Sequence, residues 1–397
     1  MKKLTVTRTV TMPDMVRIAR FERAPELGPK VLFLSGGTAL NDISRALKKF
    51  THNSIHLITP FDSGGSSAVL RKAFDMPAIG DLRSRLMALA DDTISGHPEV
   101  FQLFAHRLSK SAKRKDLLAK LKAMTDGKEP RVAAIKNPMR RLIQNHLLVF
   151  LDNMPDKMDL RGASIGNLIL AGGYLNNNRQ LDPVLFMFSK LVNVQGQVRP
   201  IVDDNLHLAV KLTNGKSVIG QHNLTGKETT PLASAITDFY LVDGLKTPLR
   251  AHAQLPKKNR KLIREAELIC YPPGSFYSSL SANLLAGGVG RAIAETPCPK
   301  IYVPNLGEDP EQIGMNIDQS IFKLIDILRR DAGADRPVRD LLSFVLIDSG
   351  AGKTLKPATH KALGKEGVRV IDTRLITPQS TPYYEPQLLV AALLSLV

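Results

Sequence analysis

The sequence predicts an α/β protein built on a Rossmann-like, doubly wound and mostly parallel sheet. Short apolar runs typical of strands alternate with segments in which apolar residues recur every three or four positions, and the alternation continues to the C-terminus. Three of the apolar runs end in glycine-containing loops that lead directly into helical patterns. Of the 397 residues, 43% are hydrophobic and 23% are charged, which supports a large core and excludes a wholly disordered chain.

Individual strands are predicted from short apolar runs bounded by turn residues. In chain order they fall at residues 31–34, 55–59, 268–271, 300–303, 344–347 and 368–371, with helical patterns between them that include 317–329 and 386–396. Residues 206–212 and 217–221 flank an Asn214-Gly215 pair, which is a strong signal for a β-hairpin. We therefore expect an antiparallel pair that interrupts the alternation of strands and helices.

The domain organisation is predicted as an N-terminal arm or strand over residues 1–30, followed by a single α/β domain over 31–397. A helical insertion interrupts this domain at about 99–162. Between residues 107 and 161 there are 14 lysines and arginines against six acidic residues, so the insertion is strongly basic. We expect this basic surface to lie away from the glycine loops and to be a solvated face, a contact for a second copy of the chain, or a site for an acidic partner.

Composition limits the classes of partner and the compartment. The formal net charge of +17 makes phosphate ligands and other polyanions plausible partners. Trp is absent and few aromatic residues are available to stack on bases, so we do not expect a nucleic-acid partner. Two cysteines, Cys270 and Cys298, cannot build a disulfide framework, and no apolar run is long enough for a membrane helix. A cytoplasmic protein without a membrane partner, forming a homo-oligomer, is expected.

The three glycine loops are the candidate ligand-binding elements. Gly36-Gly37-Thr38 follows the first strand, residues 62–67 (DSGGSS) follow the second, and residues 271–279 (YPPGSFYSS) follow a later strand. Glycine lets the backbone approach a ligand closely, and the helix that follows offers unpaired N–H groups to phosphate. Since parallel strands deliver their carboxyl ends to one sheet edge, all three loops are expected to form one phosphate cleft.

Five stretches carry a resemblance to a known family. They read SGGTALNDISRALKKF, TPFDSGGSSAVLRKAFDMPAIGDLRSRLMALAD, GASIGNLILAG, YPPGSFYSSLSANLL and IYVPNL, between about Ser35 and Asn305. In this order they resemble the phospholactate transferase (CofD) superfamily, and the loop motifs are closer to its YvcK-type, or gluconeogenesis-factor, branch. Phospholactate transferases move a phospholactyl group from a guanosine diphosphate-type donor to a deazaflavin, with magnesium, and release GMP. The YvcK-type relatives resemble nucleotide-sugar binders that regulate carbon metabolism or cell-wall synthesis, with no established chemistry.

The resemblance also assigns roles to individual positions. It implies that Asp62 holds magnesium and takes part in catalysis, and that Arg83 lies near phosphate as a second catalytic residue. The residues it implies for nucleotide or phosphate binding are Gly36, Gly37, Thr38, Gly64, Gly65, Ser66, Ser67, Asn167, Gly274, Ser275, Tyr277 and Ser278. On this basis we expect a magnesium-assisted transferase that acts on a nucleoside diphosphate-linked substrate and releases a nucleoside monophosphate. The alternative is a non-catalytic regulator that binds a nucleotide sugar, such as a UDP-sugar, or a dinucleotide.

One departure from the family pattern and two alternatives stay open at this point. Transferases of this superfamily usually have two adjacent aspartates before the glycines, whereas here Asp62 is followed by Ser63, so one potential metal ligand is missing. Asp62 is also explained by a turn in which its side chain bonds its own backbone. Asp81, two residues before Arg83, suits the N-cap of a helix without any functional role. Neither the donor base nor the acceptor follows from the sequence.

Overall fold

Residues 9–226 and 229–397 are described in a computed structural model of the chain. They form eleven strands: β1 (Val31–Ser35), β2 (Ile55–Ile58), β3 (Gln197–Pro200), β4 (His207–Leu212), β5 (Ser217–Ile219), β6 (Ile236–Val242), β7 (Arg250–Ala251), β8 (Leu268–Tyr271), β9 (Lys300–Tyr302), β10 (Phe344–Ile347) and β11 (Arg369–Asp372). Seven of these build one parallel sheet in the order β11-β10-β9-β8-β1-β2-β3. The other four build an antiparallel sheet in the order β5-β4-β6-β7. The α/β class and the predicted hairpin are confirmed.

Helices cover the sheet and fill the insertion. They are α1 (Met15–Arg23), α2 (Asn41–Leu47), α3 (Gly65–Phe74), α4 (Gly80–Leu89), α5 (Pro98–Ala105), α6 (Arg114–Thr125), α7 (Pro130–Ala133), α8 (Met139–Asn153), α9 (Ile165–Asn176), α10 (Leu181–Leu191), α11 (Lys257–Arg264), α12 (Val289–Glu295), α13 (Ile317–Ala332), α14 (Pro357–Lys365) and α15 (Pro386–Leu394). No helix in the described ranges is both long and apolar enough to cross a membrane.

Both faces of the parallel sheet are buried, as the continuous apolar runs predict. All five residues of β1 are buried, and they alternate between the two faces because successive strand residues point to opposite sides. Leu32 and Leu34 join the core that contains α12 and α13, while Val31 and Phe33 join the core that contains α2 and α15. Helices on both faces make the sheet doubly wound.

The basic insertion is helical, and its apolar residues belong to a hydrophobic core that includes helices before and after it in the sequence. Apolar residues of α3 to α10 pack together beside the β2–β3 end of the sheet, and α9 lies at the centre of this group with ten of its twelve residues buried. Gly172 shows how closely α8 and α9 approach, because a Cβ built there would lie 1.8 Å from the carbonyl oxygen of His146. The insertion is therefore a packed helical layer, with its charges on the outside.

In the described residues, the strand alternative for the N-terminal segment is not observed, and one predicted α-helix has a different form. The N-terminal segment, for which a strand is one alternative, forms helix α1 at Met15–Arg23, with the Asp14 side chain accepting from the backbone N–H of Arg17 at 3.0 Å. Residues 1–8 of that segment lie outside the described part. The α-helix expected after the third glycine loop is instead a π-helical turn, Phe276–Leu280, followed by a 3-10 turn, Ser281–Leu284.

Candidate functional site

The first and third glycine loops meet where the strand order of the parallel sheet reverses. From the neighbouring strands β1 and β8, the sheet grows in opposite directions, through β2 and β3 on one side and β9 to β11 on the other. In open α/β sheets, ligands bind in the crevice outside the carboxyl ends of the strands at such a reversal. A cleft of about 710 Å³ lies at this position, and we call it the switch-point cleft.

Five of the sequence-predicted residues line the switch-point cleft: Gly36, Gly37, Thr38, Gly274 and Ser275. The remaining walls come from the segment after β9, at residues 305–310, and from residues 379–386 before α15. No motif in the sequence indicated residues 379–386, whereas Asn305 and Leu306 end the IYVPNL stretch that begins within β9. Whether these five residues bind a ligand stays a prediction.

The first loop needs its glycines for space and for backbone conformation. A Cβ at Gly36 would lie 2.5 Å from the Thr59 hydroxyl oxygen, and Gly37 has a φ of +60°, which side chains rarely adopt. The backbone N–H of Gly37 donates to the carboxylate of Asp81 at 2.7 Å. One donor that phosphate would use is therefore already bonded to an acidic side chain from the start of α4.

Asp81 consequently does not have the capping role that its position suggests. The N-cap of α4 is Ile79, which makes no side-chain capping hydrogen bond, and the Asp81 carboxylate reaches across to the first loop instead. The N-capping alternative for Asp81 is wrong. The contact fixes the start of α4 against the loop after β1, so Asp81 orients one wall of the cleft.

Carboxylates also occupy the N–H groups of the third loop. Glu311 accepts from the backbone N–H groups of Tyr277 and Ser278 at 3.0 and 2.8 Å and from the Ser278 hydroxyl, and Asp309 accepts from the N–H of Phe276 at 2.7 Å. Burial and the charge of Asp309 raise the pKa of Glu311 to about 7. Tyr277 and Ser278 are buried, and a phosphate could reach these donors only by displacing Glu311.

The second loop is held by its own backbone and by a buried arginine. The Asp62 carboxylate accepts from the backbone N–H of Gly64 at 3.0 Å. This hydrogen bond forms the turn that is the non-functional alternative for Asp62. Arg71, which is 4% exposed, donates to the carbonyl oxygen of Asp62 at 3.0 Å. The Ser63 hydroxyl is 2.8 Å from Nδ1 of His222 in the turn after β5. These contacts give Asp62 a defined position at the start of α3.

A magnesium ion would find a partial set of ligands here. Within residues 9–226 and 229–397, no group of three or more His, Cys, Asp or Glu side chains could hold a metal ion by itself. Mg²⁺ commonly binds through one or two carboxylates, several waters and substrate phosphates. Asp62 fits that mode as one carboxylate, and its other oxygen lies 3.8 Å from where a Cβ on Gly80, the residue before Asp81, would be. The residues present fit a metal that arrives with a phosphate ligand.

Other predicted residues of the second loop lie at a different cavity. Gly65, Ser66 and Asn167 line a pocket of about 290 Å³, together with Arg107, Lys110, Asp159, Arg161 and Ser164. We call this cavity the basic pocket. The expectation that the basic insertion lies away from the glycine loops is wrong, because α3 and α9 bring the loop into contact with the insertion.

Arg83 lies beside the basic pocket and is mostly buried. Its Nη1 is 3.5 Å from the carbonyl oxygen of Phe104, a long hydrogen bond, and its Nε has no partner. Burial and the neighbouring Arg107 lower the pKa of Arg83 to about 10, so its guanidinium remains charged at neutral pH. Arg83, Asp62, Gly64, Ser67, Tyr277 and Ser278 line neither of the two cavities.

The two cavities have opposite charge. The charged residues that line the switch-point cleft are all acidic: Asp42, Glu308, Asp309 and Glu385. The charged residues that line the basic pocket are three cations and one acid: Arg107, Lys110, Arg161 and Asp159. A diphosphate in the cleft therefore needs a cation to offset the carboxylates, whereas an anion in the basic pocket does not.

Fold and site together define a doubly wound α/β protein with a ligand cleft at the point of strand reversal. The profile of the family described as 2-phospho-L-lactate transferase CofD matches residues 31–376. The chain therefore belongs to the CofD family.

Relatives in this family share the sequence over most of their length. The chain is 28% identical to the gluconeogenesis factor of Bacillus subtilis over 283 residues, covering 71% of this chain and 69% of that protein. It is 26% identical to the gluconeogenesis factor of Listeria monocytogenes, over 71% and 68% of the two chains. A crystal structure of a UPF0052 family member from Bacillus halodurans superposes with a TM-score of 0.65 at 22% identity, over 92% of this chain and 99% of that one. This last similarity concerns the fold.

Proposed function

We propose that the switch-point cleft binds a nucleoside diphosphate-linked small molecule, with Mg²⁺, and that the protein transfers a phosphorus-linked group from it with release of a nucleoside monophosphate. The observation that carries the proposal is the convergence of Gly36–Thr38 and Gly274–Ser275 on one cleft at the strand reversal. A GDP-type donor and a UDP-sugar are the two ligand classes to be compared.

The charge of the cleft supports the requirement for a cation. Four carboxylates line it, so a diphosphate entering without a metal would meet like charges. Magnesium, when bound, would stabilise negative charge on the reacting phosphate. Asp62 does not itself line the cleft, so it would hold the ion through bound water, and the hydroxyl groups of Thr38 and Ser275 at the cleft would contact the phosphates. An acceptor hydroxyl would attack the β-phosphorus, and the leaving group would be the nucleoside monophosphate.

A second candidate function is a non-catalytic regulator that binds a nucleotide sugar in the same cleft. The observation that favours it is the single carboxylate at the second loop, where Ser63 bonds His222 instead of supplying a second metal ligand. The two candidates share the ligand class and differ in turnover. Titrating GDP, a UDP-sugar and NAD, each with and without Mg²⁺, and assaying nucleoside monophosphate release separates them: turnover supports the transferase, and tight UDP-sugar binding without turnover supports the regulator.

The position of the ligand is tested by adding charge to the cleft. Thr38 is exposed at the cleft, so Thr38→Glu should leave the fold intact and weaken nucleotide binding at least tenfold by repelling the phosphates. The control is Thr213→Glu, the same substitution at an exposed position beside the β4–β5 turn. Equal affinities of the two variants would place the nucleotide elsewhere.

The metal role of Asp62 is tested by Asp62→Asn. The asparagine carbonyl can still accept from the Gly64 N–H, so the turn is kept while the charge is lost. We expect the gain in nucleotide affinity on adding Mg²⁺ to fall at least tenfold. The control is Asp335→Asn, the same substitution at an exposed position that lines neither cavity. A magnesium dependence that is unchanged in Asp62→Asn removes Asp62 from the metal site.

A further inference from the structure

The basic pocket lies where two helices begin. Gly65 and Ser66 belong to the first turn of α3, and Ser164 and Asn167 belong to the start of α9. Neither helix has a side-chain capping hydrogen bond at its N-cap. The positive ends of both helix dipoles therefore lie at one cavity of about 290 Å³.

Three cations from the insertion surround these helix starts. Arg107, Lys110 and Arg161 line the pocket, and Asp159 is the acidic residue among the lining side chains. Arg161 is paired with Asp159 at 2.8 Å, and Arg107 donates to the carbonyl oxygen of Gly162 at 3.1 Å. The stem of Lys110 passes close to Gly162, 3.3 Å from where a Cβ on that glycine would lie.

Two buried polar side chains of the pocket have atoms without hydrogen-bond partners. The Ser164 hydroxyl, on a residue that is 0% exposed, makes no hydrogen bond. Asn167 is 1% exposed; its Nδ2 donates to the Ser66 hydroxyl at 3.3 Å, and its Oδ1 has no partner. Unpartnered polar atoms in a buried site cost stability, so their presence beside a cavity points to a ligand that bonds them.

We propose that the basic pocket binds the phosphate group of a second, phosphorylated small molecule, distinct from the nucleotide of the switch-point cleft. The cations and the two helix starts favour a dianion, and the Ser164 hydroxyl supplies a directed donor. The pocket has less than half the volume of the cleft, which suits a phosphate with a short carbon chain. This inference goes beyond the proposed function and is tested by a separate measurement.

The test is calorimetric titration of the full-length protein with inorganic phosphate, at a constant ionic strength set with chloride. Lys110→Glu should weaken phosphate binding at least tenfold, because it replaces an exposed cation of the pocket with an anion. Lys115→Glu makes the same charge change at an exposed position of the same insertion, outside the pocket, and should leave the affinity within twofold. Ser164→Ala should also weaken binding, by a smaller factor, while the circular dichroism spectrum stays unchanged.

Three outcomes overturn the inference. One is the absence of saturable phosphate binding at millimolar concentrations, and another is an equal affinity of the Lys110→Glu and Lys115→Glu variants. The third comes from repeating the titration with the protein saturated with GDP and Mg²⁺. If phosphate still binds with the same affinity, the pocket serves a second molecule, whereas loss of binding assigns the pocket to the phosphates of the nucleotide itself. If the protein binds phosphate but no nucleotide, the proposed function is refuted and the inference about the basic pocket is not.

Discussion

Replacing Arg71 with methionine should destabilise the protein strongly, because one guanidinium holds four buried or partly buried oxygens near the candidate metal ligand. It donates to the carbonyl oxygens of Phe61 and Asp62 at 3.1 and 3.0 Å. It also donates to the side-chain oxygen of Asn205 at 2.7 Å and to the carbonyl oxygen of Leu206 at 2.6 Å. Burial lowers the pKa of Arg71 to about 10, so the group is still charged at neutral pH.

The magnitude follows from the acceptors that lose their donor. Each buried acceptor left unpaired costs about 1–3 kcal/mol, a partly exposed one costs less, and breaking a buried charged network typically costs about 3–5 kcal/mol. Part of this loss is offset, because water can enter the space and because the entropy cost of fixing the arginine side chain disappears. We therefore expect the free energy of unfolding of Arg71→Met to fall by about 3–5 kcal/mol.

Urea titration followed by circular dichroism measures this loss, since the sequence has no tryptophan to report by fluorescence. Lys72→Met is the matched control, because Lys72 is exposed on the same helix and should change the free energy of unfolding by less than about 0.5 kcal/mol. A loss of less than about 1 kcal/mol for Arg71→Met would refute the network as a determinant of stability. If the fold survives, the same variant should also weaken magnesium-dependent nucleotide binding, because the Asp62 loop loses its anchor.

Three further predictions concern single side chains. Burial and the charge of Asp309 raise the pKa of Glu311 to about 7, so above the ordinary pKa of a glutamate the folded state keeps a proton that the unfolded state has lost. The free energy of unfolding should therefore fall as the pH rises from about 5 to 8. In urea titrations at these two pH values, Glu311→Gln should remove about 2–3 kcal/mol of that fall. Gly172→Ala should destabilise by about 3 kcal/mol or more, because its Cβ would lie 1.8 Å from the carbonyl oxygen of His146. Gly364→Ala, at an exposed position of α14 with open space around it, should raise the free energy of unfolding by about 0.5–1 kcal/mol; a loss would contradict the helical backbone there.

The sequence predicted the central strands well because they are buried on both faces. β1, β8 and β10 read as continuous apolar runs, and the predicted ranges match the observed strands to within a residue. β3 was missed because it is the edge strand of the sheet, alternates polar and apolar residues and ends in Pro200. The antiparallel strand β6 was missed as well, since its partner β4 is distant in sequence and sets its pairing.

The candidate site was predicted only as far as local sequence determines it. Strand–loop–helix junctions are local, so Gly36–Thr38 and Gly274–Ser275 could be identified at the sheet edge from the sequence. The division of the predicted residues between two cavities depends on contacts such as Asp81 with Gly37 and Glu311 with Ser278, which join segments more than 30 residues apart. Neither contact has a periodic or spacing signal, and both follow from how α4 and the segment after β9 pack.

The separation of the predicted residues into two cavities shows where part of the net charge of +17 is located. The cleft at the strand reversal is lined by carboxylates, so the positive excess of the chain is not located there. In the basic pocket, in contrast, three cations of the insertion lie beside two helix N-termini. Raising the salt concentration screens exposed charges more than a metal held between carboxylate and phosphate. Salt should therefore weaken phosphate binding at the basic pocket more steeply than magnesium-dependent nucleotide binding at the cleft, and equal salt dependence would contradict the assignment of opposite charges to the two sites.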